Sequence, residues 1–313
     1  MIRVASSLLR LALLATLAAC ATTRDPLLSE PDPKAHPARG SIPEDRACSD
    51  GDQRACAELG LRYSRGDGVP LDAARAQALF ERSCQAGVAR GCAYLAGRLI
   101  ASGSDATRAY SLAERACSSN DGVGCHHLAT LYESGLGTTR NPARALALHE
   151  QACKAEVTQS CASAADLYER GAAGSVDEGR ATALHHAACV AGMPSSCAAE
   201  ARLLYFGRGV APDAARAETL ADAACKSGAS EGCATLLLAA LRGRRAVPAP
   251  TDAETAASVE RACTEGHRAF CIELAHLMRE GKTVGDDVRQ RSLLRLACDG
   301  GWKVACDELA PHP

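Results

Sequence analysis

Residues 83–95 read Ser83-Cys84-Gln85-Ala86-Gly87-Val88-Ala89-Arg90-Gly91-Cys92-Ala93-Tyr94-Leu95. Two cysteines stand eight positions apart around a glycine, and the arrangement returns along the chain. The pairs are Cys48/Cys56, Cys84/Cys92, Cys117/Cys125, Cys153/Cys161, Cys189/Cys197, Cys225/Cys233, Cys263/Cys271 and Cys298/Cys306. Each is C-x7-C, and successive pairs start 36, 33, 36, 36, 36, 38 and 35 residues apart. A fixed period of this size is the signature of a repeat array.

Outward from the cysteines, each unit reads as two helices. In the first, Ala55 to Ser64 places Cys56, Leu59, Gly60 and Tyr63 on one stripe, the 0, +3, +4, +7 spacing of an amphipathic helix. The same core stripe is expected to start at the second cysteine of every pair. Gly66-Asp67-Gly68-Val69-Pro70 breaks the helix. Asp72 can cap a second helix from Ala73 to Gln85, and Gly87 supplies the left-handed residue that ends it. The same slots recur. The break glycine reads Gly66, Gly135, Gly171, Gly207, Gly243 and Gly281, and the cap reads Asp72, Asn141, Asp177 and Asp213. The inward alanine reads Ala76, Ala109, Ala145, Ala181 and Ala217; the inward leucine reads Leu79, Leu112, Leu148, Leu184, Leu220 and Leu293. The terminator reads Gly51, Gly87, Asn120, Gly192, Gly228, Gly266 and Gly301. Agreement of independent local rules specifies an all-α solenoid of stacked helix pairs over residues 47–310, about seven units with half-units at each end.

Each cysteine pair then joins the last turn of one helix B to the first turn of the next helix A. Antiparallel helices across a short turn allow a bridge of ordinary Cα separation. A disulfide closing so short a loop contributes about 2–3 kcal/mol in the chain-entropy account. The alternative is metal binding, but C-x7-C is wider than the C-x2–4-C of a zinc knuckle.

Composition supports this architecture. The chain has 313 residues, is 47% hydrophobic and 23% charged, and is only 3% aromatic, so its core is built from Ala and Leu in close-packed helices. A net charge of −2 gives no reason to expect nucleic-acid binding.

The N-terminus is an address. Arg3 and Arg10 precede an apolar run from Leu11 to Ala19, too short to span a bilayer and the length of a signal-peptide core. The run ends in Leu17-Ala18-Ala19-Cys20, which resembles the bacterial lipoprotein box. That resemblance implies removal of residues 1–19 and a lipidated Cys20, the one cysteine outside the pairs. An ordinary secretory signal with a chance cysteine is the alternative. Ala21, a residue other than Asp after Cys20, points by analogy with enteric lipoprotein sorting to the outer membrane. Residues 20–46 carry Pro26, Pro31, Pro33, Pro37 and Pro43 and read as a tether. A signal peptide also places the cysteines where disulfides persist.

The run G-x-G-V-x-x-D-x-x-x-A-x-x-L-F-x-x-x-C-x-x-G (Gly66 to Gly87), followed by Gly91-Cys92-Ala93-Tyr94-Leu95, resembles Sel1-like repeats, relatives of tetratricopeptide repeats. With two cysteines per unit, the chain is similar to the cysteine-rich Hcp-type secreted proteins. The second unit departs at its short Gly103-Ser104-Asp105 loop. The sixth carries the basic loop Gly243-Arg244-Arg245-Ala246-Val247-Pro248-Ala249-Pro250, and the seventh lacks the second glycine.

The Hcp-type resemblance implies a β-lactam-binding or weak β-lactamase activity as one reading. Such an activity needs an activated nucleophile. The sequence has no S-x-x-K, no S-D-N, and Lys282-Thr283-Val284 in place of K-T-G. It has no H-x-H or H-E-x-x-H either, so no metal or cofactor is expected. His126 takes a slot filled elsewhere by Ala57, Ala93, Ala162, Ala198 and Ala234. His127 follows it, and His149, His185 and His186 lie on helices B; all read as surface or junction histidines. Arg242, Arg244 and Arg245 read as a solvated basic loop.

The second reading is a protein-binding scaffold. Helix pairs stacked with a small rotation give a concave face lined by helix A. Beside the repeating core stripe, a row at +2, +5 and +9 from the second cysteine varies. It includes Glu58, Tyr94 and His127, then Thr130, Asp166, Arg202 and His276, then Arg170 and Phe206. A constant frame beside a varying row suits a groove for extended protein or peptide segments. The expected molecule is an interaction scaffold anchored in the bacterial envelope through Cys20.

Overall fold

A computed structural model describes residues 42–241, 259–264, 266–281, 283 and 285–310. The signal segment, Cys20, most of the tether and the basic loop at 243–250 lie outside the described residues. In order, the helices are α1 (Pro43–Ser49), α2 (Gln53–Arg65), α3 (Ala73–Gln85), α4 (Ala89–Ser102), α5 (Ala106–Ser118), α6 (Gly122–Ser134), α7 (Pro142–Lys154) and α8 (Thr158–Arg170). Then follow α9 (Glu178–Val190), α10 (Pro194–Phe206), α11 (Ala214–Lys226), α12 (Ser230–Leu241), α13 (Ala269–Arg279), α14 (Asp287–Asp299) and α15 (Lys303–Leu309). From α2 to α12, helices A (α2, α4, α6, α8, α10, α12) alternate with helices B.

The first helix begins inside the stretch read as tether. Pro43 sits in its first turn, where a missing N–H costs nothing, and Glu44 and Asp45 complement the positive end of the helix dipole. The caps form as read. Asp72, Asn141, Asp177 and Asp213 accept from the backbone N–H of Arg75, Arg144, Arg180 and Arg216. Three of those arginines then lie over a tyrosine of the preceding helix A: Arg75 on Tyr63, Arg144 on Tyr132 and Arg180 on Tyr168, at 4.4, 5.0 and 5.5 Å. One residue thus serves the cap and a cation–π contact that holds the hairpin shut.

Bridges close at all eight pairs, with Cα separations from 4.4 Å at Cys117–Cys125 to 5.1 Å at Cys263–Cys271. The residue before the second cysteine decides how closely the two helices meet. A Cβ built on Gly91, Gly124 or Gly232 would lie 2.9, 2.9 or 2.8 Å from the backbone nitrogen of Cys84, Cys117 or Cys225. In two later units the slot holds Ser160 and Ser196, both buried.

The core stripe expected at every second cysteine holds for Cys56, Cys92, Cys125, Cys161 and Cys271, which are buried. Cys197 and Cys233 correct that expectation. They are bridged to Cys189 and Cys225, with Cα separations of 4.6 and 4.8 Å, but each is only half-buried instead of lying in the core. Cys306, in the last helix, is half-buried as well. Arg82 and Arg115 of the following unit reach back to the carbonyls of the first two bridges, Cys48 and Cys84. The same slot holds Ala187 over Cys153–Cys161 and Ala223 over Cys189–Cys197, neither long enough to reach, although Cys161 is buried and Cys197 is not. Beyond Cys233, the next helix A (α13) packs less closely on α12 than α12 does on α10.

Along helix B the alanine slot is buried as expected, with Ala76, Ala109, Ala145, Ala181 and Ala217 all at zero exposure. The leucines are mostly half-buried. The fully buried position is the next residue: Phe80, Ala113, His149, His185, Ala221 and Leu294. Two histidines therefore occupy a core slot. Apolar clusters are extensive at both ends, around Phe80 and around Phe270, and shrink to small groups at α8–α11. There the interior is polar instead. Helix A backbones pack directly at α2–α4, α4–α6 and α10–α12 but less closely at α6–α8 and α8–α10, where long charged side chains fill the space. The C-terminal end curls back on the array. A Cβ on Gly171, at the end of α8, would lie 3.2 Å from Cβ of Lys303.

Candidate functional site

Two pockets open among the helices A of the described residues. The N-terminal pocket, about 520 Å³, lies between α2 and α10 and is lined by Arg65, Phe80, Tyr94, Arg98, His126, His127 and Met193 among others. The C-terminal pocket, about 320 Å³, is lined by Asp166, Arg170, His185, Ser196, Arg202, Glu231 and Trp302 among others. Its far wall comes from the C-terminal units, because the array curls over its own inner face.

A ladder of ionised groups lies between and beneath these pockets. In one rung Glu133 lies 3.6 Å from His149 Nε2 and accepts from Arg170 at 2.7 Å. In the next, Glu169 lies 3.0 Å from His185 Nε2 and accepts from Arg202 Nη2 through both oxygens, at 3.0 and 2.7 Å. The glutamate and the histidine occupy the same slots in both rungs, while the arginine comes from the following helix A at a different position, nine residues after Cys161 in one and five after Cys197 in the other. The imidazole of His149 close by, with the hydrogen bond and charge of Arg170, holds the Glu133 carboxyl at about 2, against its burial. Burial alone would push Glu169 up, but Arg202 and His185 hold it well below the ordinary range. Asp166 goes the other way. Its side chain keeps 57% of its surface open, yet into the confined pocket, and desolvation pushes its pKa up to about 6. Glu231, opposite, is also raised by burial.

Two chemistries can be weighed on this geometry. Asp166, Glu169 and His185 bring ligand atoms within 4.8 Å of one another. Glu169 is already engaged by a guanidinium at 2.7 Å, whose charge opposes a cation there. Ser160 Oγ lies 2.8 Å from His126 Nδ1 and 3.4 Å from His149 Nδ1, which with Glu133 gives a serine–histidine–carboxylate sequence. Ser160 has no exposed surface, whereas a nucleophile must reach its substrate. The geometry is that of a hydrogen-bonded polar core.

Of the residues read as a binding row, Tyr94 and His127 line the first pocket, and Asp166, Arg170 and Arg202 line the second. Arg202 is there as a buried ion-pair member, 1% exposed. Glu58 is exposed near Tyr94, where its charge, after burial, helps raise the phenol's pKa. Thr130 is half-buried and donates to the His126 carbonyl at 3.0 Å. Phe206 packs into the C-terminal apolar core, and His276 pairs with Glu308 at 2.7 Å; neither lines a pocket named above. Glu133, His149, Glu169 and His185 join the site without having been read into it.

The two histidines of the first pocket make stability depend on pH. His127 packs flat on Gly97, where a Cβ would lie 2.5 Å from Nε2. Burial, and the neighbouring His127 and His149, push His126 down to about 4; burial does the same for His127. Both folded values lie below the ordinary 6.5. The unfolded chain therefore binds more protons between those limits, and their stabilisation is complete above pH 6.5 and lost as pH falls towards 4. Glu133 and Asp121 oppose this without reversing it. Asp166, raised to about 6, gives the opposite slope. Urea midpoints at pH 7 and 4.5 are expected to show the wild type losing on the order of 2–4 kcal/mol more than a His126→Asn, His127→Asn double variant. Equal losses would mean that these rings are not the groups titrating.

Four stretches of the chain, residues 53–88, 89–121, 122–157 and 195–228, match the family model described as Sel1 repeat. No curated protein sequence matches the chain. Among solved structures, a protective antigen present in uropathogenic Escherichia coli strains, displaying an SLR fold, is 21% identical with a TM-score of 0.56. The match covers 85% of this chain and 58% of the antigen, so the chain spans less than two thirds of that protein's length. A Sel1 repeat protein from Oxalobacter formigenes is 18% identical with a TM-score of 0.57, over 73% of this chain and 91% of its own. At these identities the likeness is one of fold.

Proposed function

Because this chain carries Sel1 repeats in a disulfide-stapled solenoid, we propose that it is an interaction scaffold that binds extended protein segments on its concave helix A face, held in the bacterial envelope by a lipid on Cys20. Sel1 repeat proteins generally mediate protein–protein interaction. The observation that carries the finer reading is the pair of pockets among the helices A, lined by side chains that differ from unit to unit over a frame that does not. A rigid array with a variable lining binds through side-chain specificity at low ordering cost. The β-lactam reading gains no support from a serine with no exposed surface.

Photo-crosslinkers placed at Asp166 and Tyr94 should capture the same partner in envelope extracts. A charge reversal at Asp166, which faces the pocket, should reduce that capture about tenfold or more. Capture that is indifferent to both positions would place the binding surface elsewhere. The anchor is tested separately. No helix among the described residues is long and apolar enough to cross a membrane. Mass spectrometry of the N-terminal peptide is expected to show acyl chains on Cys20 and none in Cys20→Ser; an unmodified Cys20 would reject lipidation there.

A further inference from the structure

The N-terminal pocket contains two guanidinium groups without a counter-ion among the described residues. Several arginines on or next to helices A are paired: Arg62 with Glu44, Arg90 with Asp121, Arg170 with Glu133, Arg202 with Glu169 and, just past α10, Arg208 with Glu178. Arg65 and Arg98, both lining the pocket, make no ion pair among the described residues. Arg98 Nε is buried and has no hydrogen-bond partner. A buried donor of this kind is costly until an acceptor arrives. No residue lining the pocket is acidic. Its apolar surface comes from the half-buried Leu61, Tyr94, Val123 and Met193, with the buried Phe80 ring supporting Tyr94 at 5.3 Å between centroids. Glu58 stands near Tyr94 but outside the lining.

We propose that this pocket anchors a partner polypeptide at a point where an Asp or Glu carboxylate stands next to a bulky apolar side chain. The apolar group packs on Tyr94, Val123 and Met193, which are half-buried. The carboxylate accepts from Arg98, with Arg65 at the rim adding charge. A bare phosphate would leave the apolar floor unused, and an uncharged apolar segment would leave Arg98 unsatisfied. The C-terminal pocket suits a carboxylate less well: Arg170 and Arg202 are paired with Glu133 and Glu169, Arg268 donates to the Cys263 and Thr264 carbonyls, and Asp166 and Glu231 stand in the same lining. This inference rests on the reading of the helix A face as a peptide-binding surface and specifies what that face selects.

The test uses the full oxidised chain and a displayed library of random 12-residue peptides. Selected peptides are expected to share an acidic residue beside Leu, Ile, Phe, Met or Trp. Replacing that acid by its amide, or the apolar residue by Ala, should weaken binding about tenfold or more in fluorescence anisotropy. Arg65→Gln with Arg98→Gln should weaken the parent peptide as much while leaving the amide peptide unchanged. The amide comparison is made on the unaltered protein, so it stands even if the double variant folds poorly. Peptides that bind without an acidic residue, or whose affinity ignores the acid-to-amide change, would overturn this proposal and leave the scaffold reading intact. A selection yielding no binder would overturn both.

Discussion

Arg202→Met is expected to destabilise the fold by about 3–5 kcal/mol in urea denaturation, the cost of leaving a buried charge without its partner. Arg202 and Glu169 are 1% and 3% exposed, and the guanidinium meets both carboxylate oxygens. Removing the cation leaves Glu169 with His185 alone in a region where the apolar clusters are small. Arg202→Met combined with Glu169→Leu should recover most of the loss, because an apolar pair of similar volume incurs no charge desolvation. The coupling read from that cycle should be about 2 kcal/mol or more and favourable. A single variant within about 1 kcal/mol of wild type would mean that water reaches the pair and that the interior between α8 and α10 is wetter than described.

Reduction is the other large effect. Each of the eight bridges closes a loop with a sequence separation of 8. Closing a loop that short is worth about 2–3 kcal/mol, mostly by restricting the unfolded chain. A solenoid is stabilised through neighbouring units only, so these contributions act locally and recur at every junction. The rest of the core is largely alanine, which buries little area per residue. Treatment with a phosphine reductant at 37 °C is therefore expected to abolish most of the helical circular-dichroism signal. Cys153→Ala with Cys161→Ala should lower stability by about 2–3 kcal/mol, with other junctions retained. A fully reduced protein that keeps its helicity above 60 °C would show the packing to be sufficient by itself.

Helix pairs, caps and staples were legible in the sequence because each rests on a local rule repeated in register. The depth of each staple was not, since Cys161 is buried and Cys197 half-buried with an alanine in the same slot over both. The histidines were missed too. His149 and His185 were read by residue type, as surface or junction histidines, whereas their slot is the core one that Phe80 fills in the first unit. Aligning the slots would have placed them in the core and raised the question of which acids sit opposite. Glu133 and Glu169, each directly after a tyrosine of helix A, were available as the answer. The terminator slot hid a similar case. Glu156 adopts the left-handed conformation, with φ of 63°, at the position where other units use Gly or Asn. The tertiary frame imposes that conformation, which residue preference alone would not suggest. The two pockets depend on how several units come together, and no single window of sequence encodes that.

One further property follows from the order of the bridges. They join the first paired cysteine to the second, the third to the fourth, and so on to Cys298 with Cys306, without any crossing. An oxidant that links thiols in the order they leave a translocation pore would thus produce the native set at once. Each junction would be complete before the next cysteine emerged, and no enzyme that reshuffles wrong linkages would be needed. Chains whose bridges span distant segments must wait for the whole polypeptide and then correct errors over seconds to hours. If the chain is exported, as the proposed envelope location requires, the yield of correctly linked protein would be governed by the speed of export rather than by the capacity for repair.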